Sequence, residues 1–171
     1  AWQAEHPDLS GFLPVSRGTE ALGTRLEMIE AAERSIDAQY FIMKDDTAGS
    51  LFAHALLDAA QRGVRVRLLL DDLATEVRDA RLFLLDRHPN IEVRLFNPIG
   101  RAGVYYANMV AHFRRANRRM HNKTFIVDNR YGVVGGRNIG DEYFELIGDG
   151  AFIDFDMLVV GPVAAQTSET F

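Results

Sequence analysis

The sequence predicts an α/β domain: a mixed β-sheet flanked by helices on both faces. Three observations carry this. Short apolar runs alternate with amphipathic stretches of helical length, the pattern of strands crossed over by helices. A late pair of apolar runs, Lys123–Val127 and Tyr131–Gly135, flanks Asp128-Asn129-Arg130 as an antiparallel hairpin, so the sheet is only partly parallel. The 171 residues, 47% of them hydrophobic, are one domain by size, able to bury roughly 70% of the unfolded surface.

Residues 1–18 carry Pro7, Gly11, Pro14 and Gly18 and read as an irregular lead-in, leaving 19–171 as the domain proper. Thr19 is placed to cap a helix in which Leu22, Leu26, Ile29 and Ala32 recur at helical spacing. Ser35 to Met43 reads as a buried strand. Asp46 and Thr47 open a second helix with Leu51, Phe52, Ala55 and Leu56 as its inner stripe, ended by Gly63. Val64 to Leu70 is a strand closing at Asp71-Asp72. A third helix is expected over Thr75–Arg87, stopped near His88-Pro89, and a short strand over Ile91–Phe96. Asn97 to Asn117 mixes turn formers with Tyr105, Tyr106, Met109, Val110 and Phe113 and gives no clear element; those apolar residues suit a core better than a membrane contact. Phe152 to Val160 is a last strand, ended by Gly161-Pro162, and the residues after it read as the opening of a helix cut short.

Composition excludes several classes. There is no cysteine, so disulfides and thiolate metal sites are ruled out. The five histidines show no zinc-like spacing, so no metal and no cofactor is expected. Asp71-Asp72 suit a strand-end loop better than a metal site. No apolar run reaches the ~20 residues of a membrane-spanning helix. A net charge of -5 argues against general nucleic-acid coating. Charge is unevenly placed, however. From Val93 to Val127 there is no acidic residue, while Arg94, Arg101, Arg114, Arg115, Arg118, Arg119 and Lys123 fall there. A basic segment in an acidic chain suits an anionic substrate.

That segment leads into His121-Asn122-Lys123, followed by Asp128 and by Gly135-Gly136-Arg137-Asn138. On an extended strand, residues two apart share a face about 7 Å apart. An imidazole and an ammonium so placed can hold one phosphate. Glycines let backbone approach a ligand closely, and can equally mark a bulge. Asn138 adds an amide donor and is also placed to cap a helix from Ile139, where an anion would be favoured.

The spacing His-x-Lys-x(4)-Asp, six residues, then Gly-Gly-x-Asn resembles the signature of the phospholipase D superfamily. MHNKTFIVD, VVGGRNIGDEYFE and DFDMLVVGPV resemble the bacterial cardiolipin synthases of that superfamily, the C-type branch in particular, over about residues 19–165. Such synthases carry two motifs in two halves; one occurs here, which implies an N-terminal half. The resemblance implies that His121 forms a phosphohistidine, that Lys123 and Asn138, beside Gly135 and Gly136, hold nonbridging oxygens, and that Asp128 is structural. It implies that Asp154 orients the histidine, with Asp156 on the same strand face as the rival. It also implies a phospholipid substrate, phosphatidyl transfer, and a location peripheral to the cytoplasmic face of an inner membrane. The second motif would come from the full-length chain or a homodimer partner. A homodimeric phosphodiesterase or nuclease, and a non-catalytic anionic-lipid-binding module, are the alternatives.

Overall fold

The computed structural model describes residues 5–98 and 118–171. Seven strands form one sheet: β1 (Gly11–Val15), β2 (Ser35–Tyr40), β3 (Arg65–Asp71), β4 (Ile91–Phe96), β5 (Thr124–Val127), β6 (Tyr131–Gly135) and β7 (Asp156–Val160). Their spatial order is β1-β7-β6-β5-β2-β3-β4. The helices are α1 (Gly18–Glu30), α2 (Thr47–Gln61), α3 (Asp79–Asp86) and α4 (Pro162–Ser168). The order is mixed, as expected. β2, β3 and β4 pair in parallel, and the remaining neighbours are antiparallel.

Parallel strands require crossovers, and α1, α2 and α3 all pack on one face. Ile36, Ala38 and Tyr40 of β2, Val66, Leu68 and Leu70 of β3, and Phe125 and Val127 of β5 point into that core. The alternate residues point to the other face, where Ile126 and Val159 meet Ala164 of α4. Helices therefore cover both faces, three against one.

Several boundaries differ from the sequence reading. Residues 11–15, read as irregular, form β1, an edge strand paired with β7 from Gly11↔Val160 to Val15↔Asp156. Pro14 hid it, but proline is tolerated on a sheet edge. β2 ends at Tyr40, three residues early, and β7 begins at Asp156, four residues late. α3 begins at Asp79 rather than Thr75. Arg17, not Thr19, precedes α1; Gly18 N–H is instead capped by Glu145 Oε1 at 2.8 Å, a carboxylate 127 residues away. The inner stripe of α2 holds Phe52 and Leu56 as expected, with Ala48 and Ala59 buried beside them and Ala55 packed partly buried, but Leu51 is exposed. Asp46 caps α2, accepting from Gly49 N–H at 2.9 Å. Tyr105, Tyr106, Met109, Val110, Phe113, Arg101, Arg114 and Arg115 lie outside the described residues.

A buried charged cluster sits where β1, β6, β7 and α1 meet. Asp156 is fully buried and accepts from Arg25 Nη2 at 2.9 Å, with Arg137 Nη1 3.4 Å away. Arg25 also donates to the Tyr40 hydroxyl at 3.0 Å and to the Ala21 carbonyl at 2.8 Å. Arg137 donates to the carbonyls of Val15 (3.0 Å), Ser16, Tyr143 (3.1 Å) and Asp154 (2.6 Å). A buried charge costs several kcal/mol unless it is paired and hydrogen-bonded, and these groups satisfy one another.

Replacing Asp156 with Ala leaves two buried guanidiniums without their shared anion. We expect a loss of about 3–5 kcal/mol, read from urea unfolding.

Candidate active site

The strand directions put one set of ends together. The C-terminal ends of β2, β3, β4 and β6 and the N-terminal ends of β5 and β7 all lie at the same edge of the sheet. His121, Lys123, Gly135, Gly136, Asn138 and Asp154 flank these ends, so chain segments far apart in sequence converge there.

His121 lies ahead of β5, which starts at Thr124. Its position is set from behind. Asp71, fully buried at the end of β3, accepts Met120 N–H through Oδ2 at 3.0 Å. Its Oδ1 accepts from Arg119 Nη1 at 3.1 Å and from Leu73 N–H at 3.0 Å. The residue before the imidazole is therefore clamped to the sheet by a charged acceptor. Beyond it, Asn122 Nδ2 donates to Gln39 Oε1 at 2.9 Å, tying the motif to β2. Gln39 is itself buried. His121 is exposed, and its ring leans on Phe41 with centroids 4.8 Å apart and planes at 52°.

Lys123 is buried, 8% exposed. Its Nζ donates to the His121 carbonyl at 3.0 Å and lies 5.4 Å from the Phe41 ring centre. Phe41 is thus the common neighbour of the imidazole and the ammonium. Burial pulls the Lys123 ammonium below the ordinary lysine range, and the Asp154 carboxylate partly opposes that. The site thus keeps one semi-desolvated cation, whose field is strengthened by its low-dielectric surroundings.

The glycines serve a close approach, but to the chain itself. A Cβ on Gly136 would come 1.9 Å from Asp154 Oδ1, and one on Gly135 would come 2.1 Å from Asp156 Oδ1. Neither glycine has a positive φ. Their bareness lets the Asp154–Asp156 segment cross directly over the hairpin end and brings the Asp154 carboxylate toward Lys123. Asp154 Oδ1 accepts from Phe155 N–H at 2.8 Å. No hydrogen bond joins Asp154 to the His121 ring in this structure, and its carboxylate acts electrostatically on Lys123. Asp156, the rival carboxylate, is committed to Arg25 and Arg137 and does not reach the site.

Asn138 is buried but caps no α-helix; a short 3-10 turn, Asp141–Tyr143, follows it. Its Oδ1 accepts Ile42 N–H at 2.9 Å, closing the gap left where β2 ends. Burial pushes the Tyr143 phenol up, and the nearby Asn138 amide partly opposes that. With Oδ1 fixed on the backbone, the orientation of the amide NH2 is fixed as well.

Asp128 is not part of this edge. It sits at the opposite end of β5, roughly 16 Å along the strand from Lys123 at ~3.3 Å per residue. Its carboxylate accepts Glu33 N–H (3.0 Å), Arg34 N–H (2.7 Å) and Ser35 N–H (2.8 Å), stapling the hairpin turn to the start of β2. Both Asp128 and Asn129 have positive φ, 53° and 55°, as a tight hairpin turn requires. Asp128, which stands in the motif with His121 and Lys123, is thus a structural staple between the hairpin turn and the start of β2. Burial pushes its carboxyl up, but the three N–H donors, with Arg130, outweigh that and hold it below the usual carboxylate range.

Sequence reasoning passed over Phe41, Asp71, Arg137 and Tyr143 as contributors to this place. Arg137 had a usable signal, a lone charge inside the otherwise apolar and glycine-rich run VVGGRNIG. Among the described residues, no group of three or more histidine or carboxylate side chains is arranged to hold a metal ion. None of the described helices is long and apolar enough to cross a membrane.

The fold and this edge place the chain among known proteins. The family model described as cardiolipin synthase, PLD-like domain matches residues 26–171, and the chain belongs to that family. It is 46% identical over 168 residues to cardiolipin synthase C of Escherichia coli (strain K12), covering 98% of this chain and 36% of that protein. This chain thus spans about a third of the length of that curated relative. Among solved structures, NucT from Helicobacter pylori superposes with a TM-score of 0.69 at 16% identity, covering 95% of this chain and 92% of that one. Phosphatidylserine synthase from Haemophilus influenzae Rd KW20 superposes with a TM-score of 0.69 at 16% identity, covering 93% and 35%. At such identities these two share the fold.

Replacing Asp128 with Ala removes an acceptor of three backbone donors. The expected destabilisation is about 2 kcal/mol at neutral pH. A carboxyl held low in the folded state contributes stability above its unfolded pKa of ~3.9 and loses it as pH falls through the lower folded value. The gap between the two proteins in urea unfolding should therefore be full near pH 6 and shrink below about pH 4.

Proposed function

We propose that this chain supplies one half of a phosphatidyl-transfer site of the cardiolipin synthase type, with His121 as its nucleophile. The observation that carries this is the exposed imidazole held on Phe41 beside a buried ammonium, at an edge where glycines and an amide converge. A phosphodiester is a poor electrophile for an anionic nucleophile, because its own charge repels one. A neutral imidazole avoids that repulsion and splits one hard displacement into two easier ones.

In the first step the ring nitrogen of His121 forms a bond to phosphorus, and the bond from phosphorus to the headgroup alcohol's oxygen breaks, leaving the phosphatidyl group on the ring. That alkoxide takes a proton from an acid contributed by a second motif, in the rest of a longer chain or in a second copy. In the second step an acceptor lipid's hydroxyl attacks the phosphohistidine, gives its proton to the same group, and frees His121. Lys123 and the donor edge of Asn138 face the nonbridging oxygens and offset their charge in both steps. The Asp154 carboxylate favours the charged form of Lys123, against the burial that opposes it.

We further propose that the edge works at a membrane surface. Leu146, Ile147, Phe152, Ile153 and Phe155 are all exposed within ten residues of one another, in the segment that carries Asp154. Contiguous apolar exposure next to a polar site marks a lipid or partner contact.

His121→Ala should leave the fold intact and abolish turnover of mixed phospholipid vesicles. Lys123→Ala should lose about 3 kcal/mol of transition-state stabilisation. Brief incubation with phosphorus-labelled phospholipid should trap acid-labile, base-stable label on the wild-type protein and none on the His121 variant. Cleavage of labelled DNA without lipid turnover would move the assignment to a phosphodiesterase. Binding of anionic vesicles with no label on any variant would reduce it to a binding module. Ile153→Asp should weaken vesicle binding in a flotation assay while leaving hydrolysis of a soluble diester unchanged.

A further inference from the structure

A cavity of about 360 Å³ lies between α2 and the segment leading into α3. Met43, Ala53, Leu57, Val77, Leu84 and Leu85 form its apolar wall. Its size is at the small end of ligand pockets, which run ~300–1,000 Å³.

The cavity begins where the site ends. Met43 bridges Ile139, the neighbour of Asn138, and Lys44 N–H donates to the Ile139 carbonyl at 2.9 Å. Glu76 N–H donates to the Met43 carbonyl at 2.9 Å, holding the α3 side of the opening to the same strand. The mouth and the phosphate edge are therefore fixed to one piece of backbone.

The charges around the mouth select the occupant. Lys44 Nζ lies 2.8 Å from Glu142 and 3.7 Å from Glu76. Arg81 pairs with Asp45, and Arg78 approaches the same carboxylate at 3.3 Å. His54 Nδ1 is engaged with the Ser50 carbonyl at 2.7 Å. Three cations, Lys44, Arg78 and Arg81, thus meet three carboxylates, Glu142, Glu76 and Asp45, so these groups leave no unbalanced charge for an ionic ligand. Leu84, 64% exposed at the rim, continues the apolar wall into solvent. A neutral, flexible, apolar group suits this lining.

We propose that the cavity receives one hydrocarbon tail of the phospholipid whose phosphate lies at His121. This rests on the phosphate-site reading above and adds to it a substrate requirement: the ligand is gripped at both its head and one tail. A cavity of fixed volume fills at a defined chain length, whereas a membrane surface has no such limit.

The test is calorimetric titration of this chain with lysophosphatidylglycerols of increasing acyl length, each below its micelle concentration, beside tail-free glycerophosphoglycerol. Affinity should rise about fourfold per added methylene and then level off once the cavity is full. Ala53→Phe, which fills the cavity, should move the plateau to shorter chains and leave tail-free binding unchanged. Leu84→Asp, at an exposed position that folding does not depend on, should weaken every tailed ligand about tenfold or more, as the loss of several buried methylenes implies. Affinity independent of chain length, or a chain-length series that neither substitution alters, overturns the proposal. A series that responds to both substitutions but not to Lys123→Ala upholds the tail cavity and instead removes the phosphate site from its neighbourhood.

Discussion

The buried trio of Arg25, Asp156 and Arg137 is the constraint on which the site's geometry depends. Arg137 has more acceptors than its charge alone would need, and four of them are carbonyls from three separate segments. Through them it fixes the end of β1, the backbone of Asp154 and the turn bearing Tyr143. Desolvating a guanidinium is costly, so each of those carbonyls must stay in place for the charge to remain tolerable inside the fold. Precision of this kind is hard to obtain from apolar contacts, which are non-directional.

A second charged anchor acts on the other side. Asp71 and Arg137 stand at opposite flanks of the same sheet edge, one holding the backbone before His121, the other the segment carrying Asp154. Between them, Lys123 is placed by β5 and packed onto Phe41. The reactive groups themselves form few interactions. His121 has a ring neighbour, and its backbone carbonyl takes the Lys123 ammonium. Rigidity is therefore supplied by the residues around the edge and not by the imidazole and the ammonium, which suits the proposed exchange of the Lys123 carbonyl contact for a phosphate oxygen.

The strand and helix pattern was readable because burial on a pleated or helical surface imposes a period. β2, β3, β5 and β6 follow it, since each alternates between two distinct packing environments. β1 was missed because an edge strand with Pro14 and exposed Phe12 and Leu13 shows no such alternation. On α2 only Leu51 was misplaced, because Ala48, Ala59 and Ala60, small and weakly hydrophobic, complete the buried face around Phe52 and Leu56. At the site, His121, Lys123 and Asn138 were visible as chemistry-bearing residues in a short span. Asp71 and Asp154 lie 50 and 33 residues from His121 in opposite directions along the chain, and nothing local to either tells it from a solvated loop carboxylate.

By itself, the sequence determined the alternation of strands and helices, the hairpin, and the reactive residue types with their spacing, because each follows from chemistry within a few residues. Only the tertiary structure decided which end of the sheet each residue occupies. It sent Asp128 to the far edge as a staple, turned Asp156 inward to two arginines, and set Asp154 over Gly136 facing Lys123. The reason is that a carboxylate's role is fixed by which donors and cations surround it, and those neighbours arrive through strand pairing between segments whose separation along the chain conceals them.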